Sequence, residues 1–192
     1  ELSKLWETYN EVAVTNIFSG GQNARFSYFH STEIFLGEQF RTDGFLISGG
    51  GQFTKEINLS LQYRRANAIF FSATPYQGRG SRATASLVFQ PWSQLEINSS
   101  ITYVDFFRSS DNKRIYEYPI GRLRLTYQLN KYLFVRGIVE YNKFRRTLLN
   151  DFLASFTYIP GTVFHVGYGR LYERLRWENT SYVNDDDFFE TR

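Results

Sequence analysis

Hydrophobic residues fall on every second position in run after run of this chain. Between Ala83 and Tyr103, one face carries Ala85, Leu87, Phe89, Leu95, Ile97, Ile101 and Tyr103. The other carries Thr84, Ser86, Gln90, Glu96, Asn98, Ser100 and Thr102. A period of two means extended strands with one apolar and one wet face. Repeated around a closed sheet, this is the pattern of a barrel with lipid outside and water inside. The expected fold is all-β, an antiparallel transmembrane barrel of the outer-membrane type, with about ten strands visible as part of a larger barrel.

The alternation predicts strands over 6–18, 24–36, 44–53, 56–65, 80–90, 95–107, 118–129, 132–143, 149–159 and 163–171, the first two alternating least cleanly. Most approach the roughly 9–11 residues that cross a bilayer when tilted. Short turns are expected near 19–23, 54–55, 91–94, 130–131 and 160–162, and the last four have similar flanks that read as an internal repeat. Longer polar loops are expected near 66–79, 107–117, 143–148 and 172–192, with 36–43 a shorter member of that set. Short turns at one end and long loops at the other suit an outer-membrane barrel. The chain 1–192 is read as one barrel domain or its C-terminal portion.

The faces follow from the same alternation. Leu59, Leu61, Leu123, Leu125, Val135, Val139, Phe152, Phe156, Phe164 and Val166 are expected to face outward. The inward, lumen-lining set is Arg64, Glu96, Asn98, Arg122, Arg124, Arg136, Glu140 and His165. An arginine on the lipid side costs about 2–4 kcal/mol near the midplane, so a one-residue slip of any strand is penalised. Aromatics gather at strand ends as a membrane-interface girdle: Phe53, Phe89, Trp92, Tyr132 and Tyr158 toward the short turns. Tyr63, Tyr103, Phe106, Tyr141 and Phe144 are placed toward the long loops.

Composition sharpens this picture. Mean hydropathy is −0.39, but a membrane barrel reads as ordinary on that scale because half of each strand is polar. Aromatic residues make up 19% of the chain, more than a soluble core of this size needs. The absence of cysteine excludes disulfides and zinc–thiolate sites. Net charge is +3 from mixed signs, without the basic stripe of a nucleic-acid binder. The start at Glu1 shows no basic-then-apolar leader, so a removed signal peptide or missing upstream sequence is expected.

With these residues laid out, the chain resembles a family of large Bacteroidota outer-membrane proteins. In these, an N-terminal domain like the family-9 carbohydrate-binding modules precedes a C-terminal barrel of unknown function. The likeness rests on Arg122-Leu123-Arg124-Leu125-Thr126-Tyr127-Gln128-Leu129-Asn130-Lys131-Tyr132-Leu133, on Glu140-Tyr141-Asn142, and on Tyr158-Ile159-Pro160-Gly161-Thr162 followed by a strand. It covers the second two-thirds of the chain. Nothing resembles the carbohydrate-binding half, and the end at Phe188-Phe189-Glu190-Thr191-Arg192 is not a closing aromatic strand. A fragment of a longer barrel is therefore expected.

Candidate chemistry is sparse. His30 and His165 are the only histidines, which gives a multi-histidine metal site little support. Ser155, His165 and Asp151 fall on the inward face and would suit a hydrolytic triad, but such triads are recognised by geometry rather than residue presence, so plain lumen polarity is the favoured reading. The arginines Arg64, Arg122, Arg124 and Arg136, opposed by Glu56, Glu96 and Glu140, either select solutes by charge or form a salt-bridged plug. Asp185-Asp186-Asp187 reads as a solvated acidic loop rather than a calcium cage. Gly49-Gly50-Gly51 lacks the context of a phosphate loop and suggests a bend, a bulge or close contact with an aromatic neighbour. Arg145-Arg146 could touch anionic lipopolysaccharide, though paired arginines are commonplace in a surface loop.

These readings converge on a porin-like conduit or scaffold in the outer membrane of a Gram-negative bacterium. Its expected partners are outer-membrane lipid and lipopolysaccharide, other envelope proteins and, through the resemblance, glycans. No cofactor, metal, catalytic residue or nucleic acid is implied. A barrel hydrolase acting on lipid or glycan, and a soluble all-β binding protein, are the alternatives.

Overall fold

A computed structural model describes residues 6–159, 161–173, 175–178 and 181–184. Eleven strands form one antiparallel sheet: β1 (Thr8–Ile17), β2 (Asn23–Phe35), β3 (Glu38–Arg41), β4 (Gly44–Gln52), β5 (Ile57–Phe70), β6 (Tyr76–Trp92), β7 (Leu95–Arg108), β8 (Arg114–Gln128), β9 (Leu133–Asn142), β10 (Thr147–Ile159) and β11 (Thr162–Glu173). A separate hairpin pairs β12 (Leu175–Glu178) with β13 (Ser181–Asn184). No helix occurs among the described residues. The strands lie side by side in chain order from β1 to β11, with the short β3 pairing β2 beyond the point where β4 ends. Among the described residues β1 and β11 are edges and do not pair with each other, so the sheet is not closed.

All ten predicted strands are present, but several extend further than the alternation implied. β5 runs to Phe70 and β6 starts at Tyr76, which leaves 71–75 as the connection instead of 66–79. Likewise 107–117 shrinks to 109–113 and 143–148 to 143–146. In the 36–43 segment Leu36 and Gly37, both with positive φ (51° and 81°), turn the chain tightly into β3. In the 172–192 segment β11 continues to Glu173 and the β12–β13 hairpin follows. The acidic run Asp185–Asp187 and the terminal Phe188–Arg192 lie outside the described residues. The physical reason for the shorter loops is the backbone ladder. It continues unbroken from Ile57↔Phe89 to Phe70↔Tyr76 whatever the side chains prefer. Gly78 interrupts the hydrophobic pattern there, yet it is required: a Cβ on it would run into the Phe106 ring.

The inferred repeat is visible in the turns. Phe53 N donates to Ile57 O at 2.9 Å, and Leu129 N to Leu133 O at 2.9 Å. In the first turn Thr54 Oγ1 accepts from the amides of Glu56 and Ile57. In the second, Asn130 Oδ1 accepts from those of Tyr132 and Leu133. A short polar side chain at the same place in each turn satisfies the amides the ladder leaves free. The glycine run of β4 serves close backbone approach rather than an aromatic neighbour. A Cβ on Gly50 would meet Leu59 O at 2.5 Å, and Gly51 sits at φ 144°.

Directly paired residues in an antiparallel ladder share a face, so the register sorts the whole sheet. One row runs Leu59↔Leu87, another Ile97↔Leu125, another Val135↔Ala154↔Val166. On the opposite face Ser60 pairs Ser86, Asn98 pairs Arg124, and Ser155 pairs His165. The apolar face is the open one: Ile47, Leu61, Ile101, Leu125, Phe152, Phe156 and Val166 are all exposed. The buried side chains Ser27, Phe29, Ser31, Phe40, Phe106, Ile138 and Ser155 belong to the polar face, with Ile69 at the upper end of β5 the exception, so the sheet curls toward that side.

Candidate functional site

The polar face is where chemistry can occur. Its side chains are placed by period-two alternation on β1 to β11, and all eight expected lumen residues fall on it. Glu96 and Asn98 stand opposite Thr126 and Arg124, Arg122 opposite Glu140, and His165 opposite Ser155. Arg64 is opposite Arg82, and Arg136 opposite Thr126.

Most of its charges are matched. Arg124 Nη2 donates to Glu96 Oε1 at 2.9 Å, Arg122 approaches Glu140 at 3.6 Å, and Arg136 approaches Asp151 at 3.6 Å. Arg25 meets Glu11 at 2.8 Å, a pair the sequence reading did not pick out because β1 and β2 alternate least cleanly. The acids differ from expectation in one place. Glu56 sits in the turn before β5, where its carbonyl accepts from Gln90 N, and it opposes none of the arginines. Asp151 takes its role by facing Arg136. Each pair is partly exposed to water, so each is worth about 0.2–1 kcal/mol. Their larger effect is to fix where charge lies along the face.

The face is not uniformly polar. Phe134, Ile138, Leu149 and Leu153 share it with Arg136 and Asp151, and Ile138 is buried between Arg124 and Asp151 in the register. Toward the 71–75 and 109–113 connections it becomes aromatic. Phe70 stacks on Tyr76 at 4.8 Å, Phe106 on Tyr116 at 5.4 Å, and Tyr118 tilts against Phe144 at 4.8 Å. Phe106, expected in the outer girdle, is instead 2% exposed in this inner ladder. Phe144 packs on the same ladder through Tyr118. Alternation would have placed Phe106 inward, beside Thr102 and Val104. Its nearness to a strand end suggested a girdle.

The remaining girdle residues occupy the exposed face or its ends. Phe53, Trp92, Tyr132, Tyr141 and Tyr158 are exposed, and Tyr63, Phe89 and Tyr103 half-buried. On three strands an outward tyrosine is followed by a charge at the next outward position. Tyr63 precedes Arg65, Tyr103 precedes Asp105, and Tyr168 precedes Arg170. Tyr141 and Lys143 repeat this just past the end of β9.

Ser155 and His165 are cross-strand neighbours, as a nucleophile and base would need to be. Asp151, however, stands four residues along β10, roughly 13 Å of extended chain, and it is engaged by Arg136. The three do not assemble a relay. Among the described residues no group of His, Asp and Glu has the spacing of a metal site. His30 is on the apolar face, opposite Asn10.

No family model matches this chain, and no curated protein or solved structure matches it either. The reading of function therefore stands on the geometry.

A cavity of 830 Å³ opens on the polar face near its aromatic end, lined by Tyr9, Glu33, Arg64, Arg82, Phe106 and Tyr116 among others. A second, of 570 Å³, is an apolar furrow on the opposite face, bounded by Ile47, Gly49, Phe53, Leu61, Ala85 and Ile101.

Proposed function

We propose that this chain forms a membrane-spanning β-barrel, or most of one, in a Gram-negative outer membrane. Its polar face lines an aqueous interior, and it serves as a conduit for small polar solutes or a scaffold for envelope partners. One observation carries this reading: on β2 and on β4 to β11 the stretch below the tyrosines turns a mainly apolar row away from the sheet's curl, and Phe26, Ile47, Leu61, Ile101, Leu125, Phe156 and Val166 are exposed on it. Soluble monomers rarely expose a contiguous apolar patch beyond a few hundred Å². From Leu95 to Tyr103 the outward row of β7, apolar but for Ser99, spans roughly 27 Å of extended chain, or about 21 Å of height at a tilt of about 40°, comparable to the apolar band of about 25 Å. The tyrosine-then-charge boundary supports the same placement, since tyrosine favours the water–lipid interface. A soluble all-β protein would bury Leu125 and Phe156, and both are exposed.

Ten strands lie across the sheet path, so β1 and β11 run antiparallel and can pair to close the barrel, or can each accept further strands. Either outcome satisfies the free edge amides that lipid does not tolerate. The resemblance to the barrel domain of the Bacteroidota proteins, which rests on the sequence of Arg122–Leu133, Glu140–Asn142 and Tyr158–Thr162, is what suggests glycans among the solutes.

The chain lacks cysteine, so single thiols can be placed at will. With the protein refolded in vesicles, Thr126→Cys is expected to react with a water-soluble maleimide and Leu125→Cys to resist it. Equal reactivity, or the reverse order, overturns the membrane reading. Discrete current steps in planar bilayers identify a conduit, and a folded barrel without current identifies a scaffold.

A further inference from the structure

Every other arginine that the register places on the polar face within β1, β2 and β7 to β10 has a carboxylate facing it. Arg64 and Arg82 do not. They are paired directly across β5 and β6, cation against cation, and among the described residues neither forms an ion pair. Their cross-strand neighbours on either side are Leu46 and Val104, which offer no counter-charge. Like charges directly opposite one another destabilise a sheet. Glu7 and Glu33 line the same cavity without reaching either guanidinium, and the Glu7 carboxylate accepts from the Ile34 amide.

We propose that Arg64 and Arg82 form a binding site for a small organic oxyanion, a carboxylate or phosphate carried on a sugar-sized ring. Paired Cβ atoms stand about 5 Å apart, which lets two guanidinium forks grip one oxyanion from both sides. Arg64 is held for the task, its guanidinium lying 4.9 Å from the Phe29 ring centroid, with Phe29 itself buried. The cavity supplies the rest. Its 830 Å³ is the size of a small-molecule pocket. Tyr9 and Tyr116 offer a ring face and a hydroxyl to a ligand body, with Phe106 buried behind Tyr116, while Gly80 leaves the wall between the arginine and the aromatics low. The site depends only on the polar face and stands or falls separately from the lipid placement of the other face.

The test is titration calorimetry on the refolded full chain, with glucuronate, glucose 6-phosphate and glucose as probes. At least one anionic sugar is expected to bind, with glucose ten-fold weaker or more. Binding of one anion and not the other identifies the carboxylate or the phosphate as the group read. Arg82→Gln is expected to weaken that binding at least ten-fold, and Arg122→Gln, whose arginine already faces Glu140, to leave it within two-fold. Without ligand, Arg82→Gln is expected to melt no lower than the parent, because it relieves a like-charge pair. That melting curve also certifies the fold. No binding by either anion at millimolar concentration, equal binding of glucose, or undiminished binding by a folded Arg82→Gln each overturns the proposal.

Discussion

Strands β5 to β8 can be compared with themselves, below and above one level. Below it, from Ile57 to Tyr63 and from Leu95 to Tyr103, the outward residues are apolar except Ser99, and the inward ones are Asn58, Ser60, Gln62, Glu96, Asn98, Ser100 and Thr102. Above it, the outward positions include Arg65, Asn67, Arg79, Ser81, Asp105 and Glu117, with Ile69 and Phe107 the apolar exceptions. The inward ones there are Phe70, Tyr76, Phe106, Tyr116 and Tyr118. The β5–β6 ladder runs through both halves without a slip, while β7 and β8 shift register between Phe106 and Phe107. The two faces exchange character along one sheet. The lower half suits lipid outside and water inside. The upper half is built like a small soluble sheet, with an aromatic interior and a charged exterior.

That contrast can be broken at Phe106. Phe106→Ala opens a hole in the inner aromatic ladder and is expected to cost about 3–5 kcal/mol. Denaturant unfolding followed by the near-UV signal of the stacked tyrosines measures it, and a loss under 1 kcal/mol would mean the upper half is not packed as described. Leu125→Arg places a cation in the middle of the apolar band and is expected to cost about 2–4 kcal/mol in vesicles. Heat-modifiable gel mobility with urea titration reports this value. The matching change above the boundary, Asp105→Leu, should cost far less, within about 1 kcal/mol, because that position is already wet and loses only the carboxylate's bond to the Ser81 amide at 2.9 Å. If the two substitutions cost the same, the boundary is not where the tyrosines put it. Asn130→Ala should remove about 1 kcal/mol by freeing two turn amides, and Thr54→Ala should do the same in the sister turn. The smallest effect is expected for Glu96→Gln, under 1 kcal/mol and weaker at high salt, since its pair with Arg124 is partly exposed.

The lower half was legible in the sequence because an apolar and a polar face impose opposite demands on neighbouring residues. Arg122, Leu123, Arg124 and Leu125 admit only one register, and the observed pairs Asn98↔Arg124 and Ile97↔Leu125 obey it. The upper half was harder to read. Around Arg64-Arg65-Ala66-Asn67 the apolar residues cease to alternate with polar ones, and a hairpin rising into water resembles a loop until its partner strand is seen. Phe106 and Phe144 show the same limit, because an aromatic at a strand end can face either way. Asp151 was legible as an acid on the inner face, but its partner Arg136 is distant in sequence and set by the β9–β10 register. Arg82 went unnoticed because nothing in its own strand marks it. Only pairing with Arg64 across the hairpin makes it unusual.

The strict chain-order layout of the sheet also shapes how it is assembled. Except for β2 with β4, which closes over the β3 excursion, each pairing joins strands that follow one another, so most steps close a loop of only a few residues and the entropic toll stays small. Growth can proceed hairpin by hairpin from several starting points at once. Joining Thr8–Ile17 to Thr162–Glu173 would instead gather ends separated by nearly the whole polypeptide, which makes the seam the slow event and the stage at which an unfinished molecule is most open to strangers.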